Sequence, residues 1–281
     1  MSTLDTARYC YRHPDRETGL SCSECGRPIC YECMTPAPVG LRCPEHSGKA
    51  LGVQKITRPA QRAATTNWRR ANAVTMGLIA VNVLVYLAEL FEGGSTDGTN
   101  NTIFNHGVLF GPYVGQGDWW RVFTAMFLHY GPIHLAMNMY SLYFAGTLLE
   151  HIIGRWRFAL LYLASGLAGS AGALLWSPTA ATVGASGAIF GILGALFVLE
   201  RKRHIATGGQ IAGLIVLNLI FTIGFASFIS VGAHFGGLIG GVALMWVMLQ
   251  FRASWMYSVA GAVALVVASA LIAYYKTRGY A

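Results

Sequence analysis

Apolar and polar positions divide the chain near residue 73. From there onward long apolar runs recur, at about 73–91, 132–150, 156–176, 184–199, 209–226, 230–250 and 254–275. About 20 residues of apolar helix cross a bilayer, and a helix satisfies its own backbone there. The pattern therefore predicts seven spans and an all-α polytopic membrane protein. No unit of about 20–50 residues repeats along the chain. Residues 1–48 are polar, Pro-containing and Cys-rich, and residues 49–72 form a basic linker with no clear period. The long loop at 92–131 carries Phe104, Phe110, Tyr113, Trp119 and Trp120, a set suited to a membrane interface.

Composition supports this division. Hydrophobic residues make up 54 % of the chain and charged residues 11 %, against about 25 % charge in ordinary soluble domains. That excludes a purely soluble fold and intrinsic disorder. The 34 glycines follow no collagen period and suit helices that approach closely. The net charge is +8, with 11 of the 20 Lys and Arg in residues 1–72. In so apolar a chain that charge suits anionic lipid and topology better than nucleic acid.

Charge also sets an orientation. Arg69 and Arg70 precede the first span, Arg155 and Arg157 separate the second and third, Arg201, Lys202 and Arg203 follow the fourth, and Arg252 follows the sixth. The loops 177–183 and 227–229 have no Lys or Arg, and loop 92–131 has Arg121 alone. The positive-inside rule then puts the N-terminus in the cytoplasm, with Lys276 and Arg278 in conflict. No secretory or organelle-targeting segment is visible, so the expected location is a bacterial plasma membrane.

All six cysteines precede residue 44, and they pair with histidines at one spacing: Cys10-x2-His13, Cys22-x2-Cys25, Cys30-x2-Cys33, Cys43-x2-His46. Eight N/S ligands suit two tetrahedral Zn²⁺ ions with no open position. Three disulfides are the competing reading, disfavoured in the cytoplasm and by the two histidines that complete the pairs. Sites without an open position suit a structural or partner-binding module, including a cytoplasmic protein partner, rather than hydrolysis. The pattern resembles a B-box-type zinc finger. That resemblance implies a cross-brace, with Cys10, His13, Cys30 and Cys33 in one site and Cys22, Cys25, Cys43 and His46 in the other.

Polar side chains inside a bilayer are costly and call for a function. His134 and Asn138 on the second span, Ser186 on the fourth and His234 on the sixth all lie within a turn or two of the outer end. Each could instead serve helix packing or bond a carbonyl. Together they share one depth, within reach of water from outside. Ser186 opens a Gly-rich helix in Gly184-Ala185-Ser186-Gly187, where unpaired N–H groups and the dipole favour an anion. Gly187 and Gly191 on that helix match Gly237 and Gly241 on the sixth, a small-residue spacing for close packing. Such packing would bring His234 to Ser186 as general base. No Asp lies in any predicted span, so a Ser-His dyad remains. His134 and Asn138, four apart on one face, could stabilise an oxyanion with the Ser186 backbone N–H. His129 is a weaker candidate.

The segments HLAMNM at 134–139, GASGAIFG at 184–191 and GAHFGGLIGG at 232–241, with Trp120-Arg121, resemble the signatures of rhomboid intramembrane serine proteases. The resemblance covers about residues 73–252. It implies a six-helix core over 73–252, with residues 253–281 as a seventh span and tail. It makes Ser186 the nucleophile, His234 the base, and His134 and Asn138 the oxyanion hole. Phe190 takes the place of an aromatic residue that stacks on the base. Gly184 and Gly237 support the site. The implied activity is cleavage of transmembrane segments of other membrane proteins, within the lipid bilayer near their outer end, with no cofactor for the chemistry. The alternative is a catalytically inactive rhomboid-like protein that binds membrane clients; intact Ser186 and His234 argue against it. A transporter would want inverted repeats or paired broken helices, which the sequence lacks.

Overall fold

A computed structural model describes residues 8–37, 40–47, 72–93, 99, 101–227, 229–251 and 254–281. The basic linker, apart from Asn72, lies outside the described residues, as do Arg69, Arg70 and Arg252. The chain divides into two compact units, one within Met1–Ala64 and one within Thr65–Ala281.

The first unit has little regular structure. Strands β1 (Thr35–Pro36) and β2 (Leu41–Arg42) pair antiparallel, with Thr35 opposite Arg42 and Pro36 opposite Leu41. Isolated bridges join Tyr9 to Glu17 and Ser21 to Pro28. Its interior is Ile29 surrounded by Cys10, Cys22, Cys30, Cys33 and Cys43. So few buried aliphatic carbons cannot offset the entropy of ordering about 40 residues. Another source of folding energy is required, and the cysteines are its candidate.

The second unit is helical. Helix α1 spans Ala73–Phe91. The long aromatic-rich loop contains three short helices: α2 (Thr102–Gly107), α3 (Gly111–Gly115) and α4 (Arg121–Thr124). Each is too short to leave a periodic signal. The second predicted span is α5 (Gly131–Ser141) and α6 (Thr147–Ile153), joined by a π-helical turn at Leu142–Gly146. It is therefore neither uniform nor confined to 132–150. Then follow α7 (Arg155–Trp176), α8 (Ser186–Arg201), α9 (Gln210–Gly224), α10 (Val231–Gln250) and α11 (Trp255–Thr277). Among the described residues, the helices at α1, α7, α10 and α11 are long and apolar enough to cross a membrane, and α9 is a shorter apolar helix.

Helices α7, α8 and α10 form the centre. A methyl group added to Gly237 would strike the Gly187 carbonyl, and one added to Gly241 the Gly191 carbonyl. The α8 and α10 backbones thus touch, as the small-residue spacing predicts. Without a hydrophobic driving force between helices in lipid, this packing depends on dispersion over short distances.

The loop is fastened to the same end. Buried Arg121 donates from Nε to Asp118 Oδ2 at 2.8 Å and from a terminal nitrogen to the carbonyls of Asn105 at 2.7 Å and Val108 at 3.1 Å. Its guanidinium lies 4.5 Å from the Tyr113 ring centroid. Trp120 Nε1 donates to the His106 carbonyl at 2.9 Å. Leu109 and Thr182 exchange backbone hydrogen bonds, and Gly111 N–H donates to Pro178. The segment before Ser186 is held at its backbone by the loop that Trp120 and Arg121 brace. Trp119 stacks on Tyr274 near the end of α11, which puts that end beside the loop.

Candidate active site and metal centres

Ser186 is the first residue of α8. Gly184 precedes it with φ +121°, a backbone geometry that side-chain-bearing residues rarely adopt. A methyl on Gly184 would also press on the His134 ring, 2.9 Å from Cε1 and 3.0 Å from Nε2. Glycine is needed here twice over, for the turn and for the approach of His134.

His234 is the fourth residue of α10, whose first turn is capped by Ser230 accepting from the Ala233 N–H. The contact of α8 with α10 brings its Nε2 to 2.9 Å from Ser186 Oγ. Phe190, one turn along α8, stacks on the imidazole, with centroids 4.1 Å apart and planes 19° from parallel. His234 is 7 % exposed, while Ser186 is half-buried.

His134 lies on α5 beside them. The Tyr130 backbone N–H donates to its Nδ1 at 3.3 Å, which puts the ring proton of the neutral form on Nε2, the atom facing Gly184. Asn138 is buried, but its Nδ2 donates to the His134 carbonyl at 3.0 Å. One of its two amide protons is thus turned back along its own helix. His129 is fully buried, its ring 5.1 Å from His134, and does not reach the serine.

One neighbour escaped the sequence reading. Thr222, on α9, has its Oγ1 2.7 Å from His234 Nδ1. It sits in no motif; the available signal was a hydroxyl near the C-terminal end of an apolar run, twelve residues before His234. Among the described residues no carboxylate hydrogen-bonds His234. A recess of about 20 Å³ adjoins Gly184, Gly187 and Ala233, enough for one water. A larger cavity, about 380 Å³, lies elsewhere, among Ile152, Arg157, Leu199, His204 and Met248. It holds no nucleophile and is not the candidate site.

The eight Cys and His residues of the first unit form two groups. Cys10, His13, Cys30 and Cys33 cluster in one, Cys22, Cys25, Cys43 and His46 in the other, with ligand atoms within 4.8 Å of one another in each. The six cysteines are not disulfide-bonded. A tetrahedral zinc with ordinary bond lengths holds its ligand atoms about 3.5–3.8 Å apart. Cys25 and Cys43 sulfurs are 3.8 Å apart, and His13 Nδ1 is 3.4 Å from the sulfurs of both Cys30 and Cys33. His46 Nδ1 is 3.2 Å from Cys43 and 3.9 Å from Cys22. Both groups fit the ion. Burial raises the Cys10 thiol, but N–H donors of Cys30, Arg12 and His13 outweigh it and bring it down to about 6. Cys22, held likewise by Cys25, Cys43 and Glu24, is also brought to about 6. Burial and the neighbouring thiols push Cys33 up to about 11.

These features define a polytopic helical membrane protein with a half-buried serine and a buried histidine in contact where two glycine-packed helices begin. Residues 116–251 match the Rhomboid domain, and the chain belongs to the rhomboid family. It is 42 % identical over 168 residues to rhomboid protease GluP of Bacillus subtilis (strain 168), covering 58 % of this chain and 32 % of that protein. It is 36 % identical over 141 residues to the putative rhomboid protease YdcA of the same organism, covering 49 % of this chain and 71 % of YdcA. It is also 36 % identical over 124 residues to inactive RHOMBOID-like protein 8 of Arabidopsis thaliana, covering 43 % of this chain and 35 % of that one. Membership in the family therefore does not by itself imply activity.

Proposed function

We propose that the chain is an intramembrane serine endopeptidase that cuts transmembrane segments of other membrane proteins near their outer end. The observation that carries this reading is the 2.9 Å contact of Ser186 Oγ with His234 Nε2. Ser186 attacks the scissile carbonyl while His234 takes its proton; the imidazolium then protonates the leaving amine, and water hydrolyses the acyl-enzyme by the reverse transfers. The oxyanion is met by the Nε2–H of His134 and by N–H groups of the first turn of α8, which have no partner within the helix. Asn138 supports His134 with its remaining proton available to the site. Phe190 holds the plane of the base, and the Gly237 contact holds its distance. The spans up to α10 form the six-helix core, and α11 is the added seventh. The amino-terminal groups hold two structural zinc ions, which supply that unit's folding energy and take no part in hydrolysis.

The test is purified full-length protein with a labelled transmembrane substrate. The wild type cleaves, and correctly inserted Ser186→Ala and His234→Ala variants do not. Wild-type-like cleavage by Ser186→Ala would reject the assignment; an inert wild type would favour the client-binding alternative.

A further inference from the structure

A histidine that serves as base with no acid behind it must have its tautomer fixed by something else. On the reading of His234 as base, on which this inference rests, Nε2 must be unprotonated and Nδ1 must carry the proton. We propose that Thr222 is the positioning residue that imposes this tautomer, in the place a triad gives to a carboxylate.

The argument is a count of protons. Thr222 Oγ1 lies 2.7 Å from His234 Nδ1 and also 2.7 Å from the Asn218 carbonyl. A hydroxyl has one proton and two lone pairs. If that proton goes to Asn218, Oγ1 is free to accept from Nδ1–H, and Ser186 O–H donates to Nε2. Three hydrogen bonds then run in one direction, from serine to imidazole to threonine to carbonyl. If Thr222 donates to Nδ1 instead, the ring proton moves to Nε2 and must point at Ser186. Asn218 loses the hydroxyl, Ser186 O–H loses its acceptor, and only two bonds remain. The first arrangement is favoured by one hydrogen bond, in a layer where Thr222 is 1 % exposed and water does not compensate. When the imidazolium forms, its Nδ1–H still points at a lone pair.

Position supports the assignment. On α9 the buried residues are Ile211, Ile215 and Thr222, while Leu214, Val216, Leu217, Ile220, Phe221 and Ile223 are exposed. The inner face of this helix is narrow, and its one hydroxyl is spent on the base.

Four full-length proteins test the inference: wild type, Ser186→Ala, Thr222→Val and Thr222→Ser. Thr222→Val keeps the shape and removes the hydroxyl, and should lower kcat about tenfold to a hundredfold with KM within about twofold. Thr222→Ser restores the hydroxyl and should return kcat to within about threefold of wild type. Wild-type kcat in Thr222→Val, a loss confined to KM, or an equal loss in Thr222→Ser would each overturn the inference. Turnover in Ser186→Ala would instead sink the protease reading itself. Imidazole ¹⁵N shifts of His234 in the unmutated protein stand apart from both activity and variant folding. A proton on Nδ1 supports the assignment, and one on Nε2 refutes it.

Discussion

His134 and His234 are the same residue type in one site, yet their outer nitrogens meet opposite partners. The Tyr130 N–H donates a hydrogen bond to His134 Nδ1 and leaves that ring a donor toward Gly184 from Nε2, whereas His234 turns its Nε2 to Ser186. On the proposed roles His134→Ala should lower kcat about 10²–10³-fold, the usual cost of one oxyanion donor, with little change in KM. Asn138→Ala should cost about tenfold or less, because one amide proton is already committed to the His134 carbonyl. Steady-state kinetics on one transmembrane substrate separates the two, and a larger loss at Asn138 would make the amide the principal donor. At this scale the sequence was legible where chemistry needs unusual residues in lipid: serine, histidine and asparagine stood out of apolar runs. Thr222 did not stand out, since a threonine satisfies its hydroxyl on its own helix and is unremarked in a span. Its second partner lies twelve residues away, across a turn that no pattern reveals.

Among the elements, the apolar helices were legible because each is a long run of apolar residues, and four of those described are long enough to cross a membrane. The π turn at Leu142–Gly146 and the short helices of the loop were not, since neither produces a period. One contact between elements carries a stability prediction. Glu150, near the end of α6, is buried and accepts from the N–H groups of Val74 at 3.0 Å and Thr75 at 2.7 Å, and from Thr75 Oγ1 at 2.7 Å. It caps the first turn of α1 from another helix, as a carboxylate at a helix N-terminus should. Glu150→Ala leaves these donors unpaired and should destabilise by about 2–4 kcal/mol. Glu150→Gln keeps an acceptor oxygen and should cost less. Thermal unfolding in detergent reads both, and equal melting of Glu150→Ala and wild type would mean that α1 is held in place by other contacts. Ser186 lies on α8, outside this contact, so Glu150→Ala protein that remains folded should still cleave.

For the molecule as a whole, the two units differ in what orders them. The helical unit has a large apolar interior packed through glycine contacts; the amino-terminal unit has Ile29 and its cysteines. If zinc orders the latter, the full chain should contain two zinc ions, and chelation should unfold residues 8–47 while leaving the helical signal in place. Occupancy should also depend on pH with a definite sign. Cys33, pushed up to about 11, is protonated at neutrality, so zinc must expel its proton and affinity should rise as pH rises. Cys10 and Cys22, brought to about 6, add a further loss of affinity once the pH falls below that value. Calorimetric titration in buffers of different ionisation enthalpy counts the protons released. Because neither zinc would have an open coordination position, a chain starting at Ala73 should cleave a detergent-solubilised transmembrane substrate at close to the wild-type rate. Elemental analysis giving one zinc or none would break the ligand assignment. Loss of cleavage in a folded truncation would show that the amino-terminal unit takes part in the reaction of the helical one.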